Sequence, residues 1–234
     1  HRGPDDSSEY HSGAYHVGMC RLAINDPAHG RQPLYNTSRK VVVMYNGEIY
    51  NSPQLRSNLE AKGYKFRTHS DGEVICHLYD EYGDDLFGYL DGMFAIALWD
   101  ETHRRLLLAR DQAGEKPLHY AEIDAGRGVV FASEIKALRH FDGLKLSLDR
   151  QAIWDFPTFL WIPEPATVYE QVRVLPRGHL LKVDGSALSL QPYRSYLGPF
   201  SSKALDDDEV VAERDRVDER GRDLLLHPAE IDHA

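Results

Sequence analysis

Arg21, Asn46, Gly47, Glu48 and Asp71 are the positions whose side chains and backbone could handle a small charged molecule. A guanidinium offers a planar fork of donors that grips a carboxylate in two places. Carboxylates such as Glu48 and Asp71 can neutralise an ammonium. An Asn amide beside a glycine N–H can direct two donors at a developing oxyanion, and glycine allows close backbone approach. Taken singly, each has a plainer reading. Asn46-Gly47 after an apolar run is a strong hairpin-turn signal. Arg21 alone reads as a surface salt bridge, Asp71 as a helix N-terminal cap, and Glu48 as the polar face of a strand.

Other chemistries find less support. The twelve histidines fall in no HExxH spacing, and no paired-cysteine motif occurs, so no metal is expected. His11, His16, His69 and His77 read as ordinary surface or core residues. Neither a G-x-x-x-x-G-K-S/T phosphate loop nor a G-x-S-x-G elbow is present. The two cysteines, Cys20 and Cys76, cannot build a disulfide framework. Both read as buried free thiols, and a reducing cytoplasm is the expected location.

The elements that must position these groups follow from patterning. Val41–Tyr45 reads as a buried strand closed by Asn46-Gly47. A helix opens at Asn51-Ser52-Pro53 and ends at Gly63, with Leu55 and Leu59 on one face. Tyr64–Arg67 reads as a short strand, and Glu73–Tyr82 as an amphipathic helix stopped by Gly83. Met93–Trp99, Arg105–Ala109, Leu118–Ile123 and Val129–Ala132 are short strand-like runs separated by turn residues. Ser133–Leu138 and Asp149–Phe156 read as short helices, the second capped by Asp149 with Pro157 beyond it. A last hairpin joins Leu180–Val183 to Leu188–Leu190. Hairpin-length links between strands, with few helices, give an α+β fold on antiparallel sheets.

At 234 residues, 42% hydrophobic and 10% aromatic, the chain has a globular composition. Its net charge of −10 argues against a nucleic-acid surface and against docking on anionic lipid. No apolar run approaches a membrane span. Ser201–Ala234 carries no aromatics and holds a charge run at Asp206–Glu209, which reads as a linker.

Five strings stand in order: HRGPDD (His1–Asp6), RLAI (Arg21–Ile24), YNGEIYN (Tyr45–Asn51), SDGEV (Ser70–Val74), and RDQAGEKPLHY with FASEIKAL (Arg110–Tyr120, Phe131–Leu138). Together they resemble the glutaminase domain of glutamine-hydrolysing asparagine synthetases, a class II amidotransferase and N-terminal-nucleophile hydrolase. The resemblance runs from His1 to about Tyr193. It implies a four-layer αββα sandwich that hydrolyses glutamine and passes ammonia to an ATP- and magnesium-using synthetase domain, where aspartate becomes asparagine. It further implies that Arg21 clamps the glutamine carboxylate and that Asp71 and Glu48 hold its ammonium. Asn46 and the Gly47 N–H would form the oxyanion hole.

The family's nucleophile is an amino-terminal cysteine some tens of residues before the HRGPDD string, whose own α-amino group serves as base. Neither Cys20 nor Cys76 can replace it, since an internal cysteine has no free amine. The chain, opening at His1, is therefore expected to be an amino-terminally truncated and inactive form of the domain. Residues 1–195 are expected to form the glutaminase domain, and 196–234 an acidic linker toward the synthetase part. The domain itself needs no cofactor on this reading, and a homodimer stays open. Two rivals are weighed: a non-catalytic glutaminase-like scaffold, and a relative that forms another amide bond.

Overall fold

A computed structural model describes residues 3–22, 26, 30–185 and 187–194. The tail from 195 onward, and with it the expected linker, lies outside the described residues, as do His1, Arg2, Ala23 and Ile24 of the motif strings.

Strands β1 (Asp6–Ser12) and β2 (Tyr15–Arg21) form a hairpin. A six-stranded antiparallel sheet holds β3 (Leu34–Tyr35), β4 (Val41–Ile49), β5 (Gly92–Asp100), β6 (Arg105–Arg110), β10 (His179–Asp184) and β11 (Ala187–Pro192), in the order β11-β10-β6-β5-β4-β3. A three-stranded sheet carries β8 (Gly128–Ala132), β7 (His119–Ile123) and β9 (Arg173–Val174) in that order.

Alternation along the strands sorts their side chains into two cores. Val41, Val43, Tyr45 and Ile49 of β4 point one way, with Phe94, Ile96 and Leu98 of β5. They meet Leu55 and Leu59 of helix α1 (Ser52–Ala61) and Val74, Ile75, Leu78 and Tyr79 of helix α2 (Glu73–Tyr82). Val42, Ala95, Ala97, Trp99, Leu106 and Leu108 point the other way, onto Tyr15 and Tyr120 of the smaller sheets and Leu118 just ahead of β7. A third cluster, Ala121 with Val130 and Leu138, lies between the three-stranded sheet and the short helix α3 (Ile135–Leu138). Helix, sheet, sheet and helix thus stack as the expected four-layer αββα sandwich.

The structure corrects several local expectations. Tyr64–Arg67 is irregular, because the Arg67 and Thr68 N–H groups donate to the Glu73 carboxylate rather than to a neighbouring strand. Helix α4 (Arg150–Phe159) is capped by Asp149, whose Oδ1 accepts from the Ala152 N–H. It continues through Pro157 and ends at Leu160 in a left-handed conformation, and Ala152 is its buried residue. Its large apolar side chains, Ile153, Trp154, Phe156 and Phe159, face outward, as do Leu160 and Trp161. Cys20 is exposed, because alternation in β2 puts it on the outer face of the hairpin, whereas Cys76 is buried in α2. Among the described residues no helix is long and apolar enough to cross a membrane.

Candidate active site along strand β4

Asn46 and Gly47 lie inside β4, not in a hairpin turn. Asn46 pairs with Ala95, Gly47 with Phe94 and Glu48 with Met93 of β5. Gly47 holds φ +153, a conformation that side chains disfavour, and a Cβ there would sit 2.0 Å from the Met93 carbonyl oxygen. The glycine therefore keeps the strand running where the pattern suggested it stopped.

The direction of each backbone group in β4 follows from the register. The Tyr50 N–H donates to the Asp91 carbonyl at the end of the β4–β5 pairing, so even-numbered residues of β4 turn their N–H and C=O toward β5. Odd-numbered residues turn theirs toward the opposite edge. Along that edge Val43 pairs with Leu34 of β3. Tyr45 is taken by a side chain: its N–H donates to Gln32 Oε1 at 2.7 Å, and its C=O accepts from Gln32 Nε2 at 2.8 Å. Ile49 donates its N–H to Asp71 Oδ2 at 2.7 Å. Gly47 stands between these two anchored positions with its N–H aimed outward from the sheet edge.

Asp71 sits in the turn that leads into α2 and is buried. It is not the helix cap, a place held by Gly72. Its Oδ1 accepts from the Tyr45 hydroxyl at 2.5 Å while Oδ2 accepts from Ile49, so one carboxylate brackets the Asn46–Glu48 segment. Burial, then the charge of Asp71, push the Tyr45 phenol pKa up, which keeps the hydroxyl a donor. The turn itself hangs on Glu73, which accepts from the Arg67 and Thr68 N–H groups and the Thr68 hydroxyl.

Arg21 ends β2, and its guanidinium donates to the Asp26 carbonyl at 3.4 Å. The Asp26 carboxylate accepts from the His69 N–H at 2.9 Å, two residues ahead of Asp71. Arg21 and Asp71 are thereby tied to one another through Asp26. Asn46 and Glu48 are exposed, and alternation sets them on the face of β4 opposite Tyr45 and Ile49. Partial desolvation first, then the carboxylates of Glu115 and Glu48, raise the Tyr50 pKa, so Glu48 shares its neighbourhood with the loop after β6.

That loop was visible in the sequence only as a motif. Asp111 is fully buried and accepts from the N–H groups of Phe94, Glu115 and Lys116. Arg110 donates to the carbonyls of Gly114, Lys116 and Leu175 and to Glu164. Gln32, Tyr45, Arg110 and Asp111 are the supporting residues that residue types and spacing did not single out. Among the described residues no group of three or more metal-ligating side chains is close enough to hold an ion.

Comparison with known proteins gives the family and the fold. A family described as the glutamine amidotransferase domain matches residues 1–194. The glutamine-hydrolyzing asparagine synthetase 1 of Bacillus subtilis is 36% identical over 93% of this chain and 34% of its own length. The corresponding synthetase 1 of Arabidopsis thaliana is 40% identical over 74% of this chain and 31% of its own. The chain thus spans about a third of the length of the curated relatives it matches. Among solved structures, the glutamine phosphoribosylpyrophosphate amidotransferase of B. subtilis superposes with a TM-score of 0.53 at 23% identity, covering 76% of this chain and 35% of that one.

Proposed function

The chain belongs to the glutamine amidotransferase domain family, and from that premise we propose that it is the glutaminase part of an asparagine-synthetase-like enzyme. The observation that carries the reading is the Gly47 N–H, which points away from β5 beyond the short pairing with β3, between two anchored neighbours, with the exposed Asn46 amide beside it. A backbone donor fixed by the strand before substrate arrives, with a side-chain amide next to it, suits the oxyanion of an amide under attack.

On this reading Arg21 takes the glutamine carboxylate, while Asp71 and Glu48 meet its ammonium from the two faces of β4. A cysteine thiolate attacks the amide carbon, the oxyanion collapses with loss of ammonia, and water releases glutamate from the thioester. Cys76 does not fit that role: burial, then the charge of Glu73, hold its thiol pKa well above the usual value. Cys20 faces outward from the hairpin. In the family pattern the attacking thiol is that of an amino-terminal cysteine, whose own α-amino group serves as base. Residues 1–195 act as the glutaminase, and 196–234 lead toward the part that uses ATP and magnesium to amidate aspartate.

The test is glutamate and ammonia release by the relative-length protein that carries this chain. Asn46→Ala should lower kcat by about 10²–10³-fold through loss of one oxyanion donor. A loss below threefold would reduce Asn46 to an ordinary strand residue.

A further inference from the structure

The Tyr45 hydroxyl has no place in the scheme above, yet it is a buried donor on the carboxylate that the scheme assigns to the substrate ammonium. We infer that Tyr45 is a positioning residue for ammonium recognition, acting through Asp71; the inference rests on the proposed glutaminase reading.

A carboxylate held by one hydrogen bond can swing about its Cβ–Cγ bond. Among the described residues, Tyr45 and Ile49 both donate to Asp71, and they come from different directions. The Ile49 N–H reaches Oδ2 in the plane of the sheet, on the side of β4 away from β5. The Tyr45 hydroxyl reaches Oδ1 from the face that packs on the helices. The two donors sit four residues apart on one strand, so the carboxylate orientation is locked to β4 itself. The Tyr45 backbone is in turn fixed at both its N–H and C=O by Gln32, and the ring packs so closely on Gly72 that a Cβ there would lie 2.1 Å from it. The ring is thus packed against the turn that carries Asp71. Gly47 lies midway between Tyr45 and Ile49, each about 6.8 Å away along the strand. A single rigid strand thus sets the distance between the group that holds the ammonium and the N–H that would meet the oxyanion. Charge-assisted hydrogen bonds of this kind are among the stronger ones, and removal of the Tyr45 hydroxyl takes one of them from a buried carboxylate.

The experiment uses the relative-length protein with Tyr45→Phe, which keeps the ring and removes the donor. Steady-state kinetics are taken with glutamine and with its analogue lacking the α-amino group. Ammonium contacts are made equally in ground and transition states, so KM for glutamine should rise about tenfold while kcat changes less than threefold. The parameters for the des-amino analogue should not move, because that ligand has no ammonium for Asp71 to orient. Gly72→Ala, which forces the ring away from Asp71, should reproduce the same signature by a different route. A purely structural role would instead lower the melting temperature and depress both substrates alike. Equal losses for both substrates, or a glutamine KM within twofold of the parent in both variants, overturn the inference. If glutamine turnover is also indifferent to Asn46→Ala, the glutaminase reading fails with it; if Asn46→Ala is severe and both positioning variants are silent, only the role of Tyr45 falls.

Discussion

Asp111 and Phe94 exchange two hydrogen bonds: the Asp111 N–H donates to the Phe94 carbonyl at 2.8 Å, and the Phe94 N–H donates to Asp111 Oδ2 at 3.2 Å. Phe94 is the cross-strand partner of Gly47, so the motif loop after β6 is fastened to the strand directly behind the candidate oxyanion donor.

Asp111→Ala should therefore be costly. It orphans the N–H groups of Phe94, Glu115 and Lys116 beside a side-chain site with no exposure. With each buried orphan worth on the order of 1–3 kcal/mol, a total near 3 kcal/mol is expected. For a domain of this size that lowers the melting temperature by about 6–12 °C. Differential scanning calorimetry reads the shift, and a change under 2 °C would show that the loop is held by other contacts.

Acid should loosen the Asp71 turn through Glu73. Burial would raise the Glu73 pKa, but His77 at 3.7 Å, the Thr68 hydroxyl and the N–H groups of Arg67 and Thr68 outweigh it and hold the carboxyl at about 2. A folded pKa below the ordinary 4.5 means that this stabilisation is present above pH 4.5 and lost as pH falls toward 2. Chemical denaturation at several pH values should show stability declining across that window, and Glu73→Gln should flatten this part of the decline. An unchanged slope in the variant would assign the acid sensitivity to other carboxylates.

The two thiols should separate cleanly. Cys20 is exposed and should react with a maleimide in the native protein, while Cys76 is buried with a raised pKa and should react only after denaturation. Mass spectrometry counts the adducts. In the relative-length protein, Cys20→Ser should leave glutamine hydrolysis within twofold of the parent. A larger loss would give the hairpin thiol a part in the chemistry.

Gly92 should resist substitution as firmly as Gly47. It holds φ +155, and a Cβ there would lie 2.2 Å from the Glu48 carbonyl oxygen. Gly92→Ala must then spread β4 from β5, with a loss of at least ~2 kcal/mol from backbone strain and steric displacement together. Urea denaturation measures it, and a neutral result would mean that the two strands can separate locally at no cost.

Much of the fold could be read from patterning because the signals are local. Patterning marks both ends of helix α2, since its apolar spacing and the glycine that stops it lie within one short window. Strand β4 was cut short because Asn46-Gly47 is a turn signal in isolation. What overrides it is the Met93 carbonyl on β5, which demands a residue without a Cβ at position 47. The candidate residues Arg21, Asn46, Gly47, Glu48 and Asp71 stand in motif strings. The groups that steady them were not legible from pattern, because Gln32 on Tyr45 and Asp111 on Phe94 are side-chain bonds to distant backbone, and such bonds have no periodicity. The exposure of Cys20 was missed for the opposite reason, since composition favours burial while the two-residue alternation of β2 decides it.

The outward-facing side of α4 also determines what light sees in this protein. The sequence holds three tryptophans. Trp99 is buried and stacks on Tyr15 with ring centroids 4.8 Å apart, whereas Trp154 and Trp161 are 73% and 56% exposed. Intrinsic emission from the domain is then dominated, at its red side, by two indoles that have left the core. Acrylamide should quench those two and spare the third. A tryptophan signal that changes when a ligand or another chain is added would report first on the surroundings of α4, and only through Trp99 on the packing between the sheets.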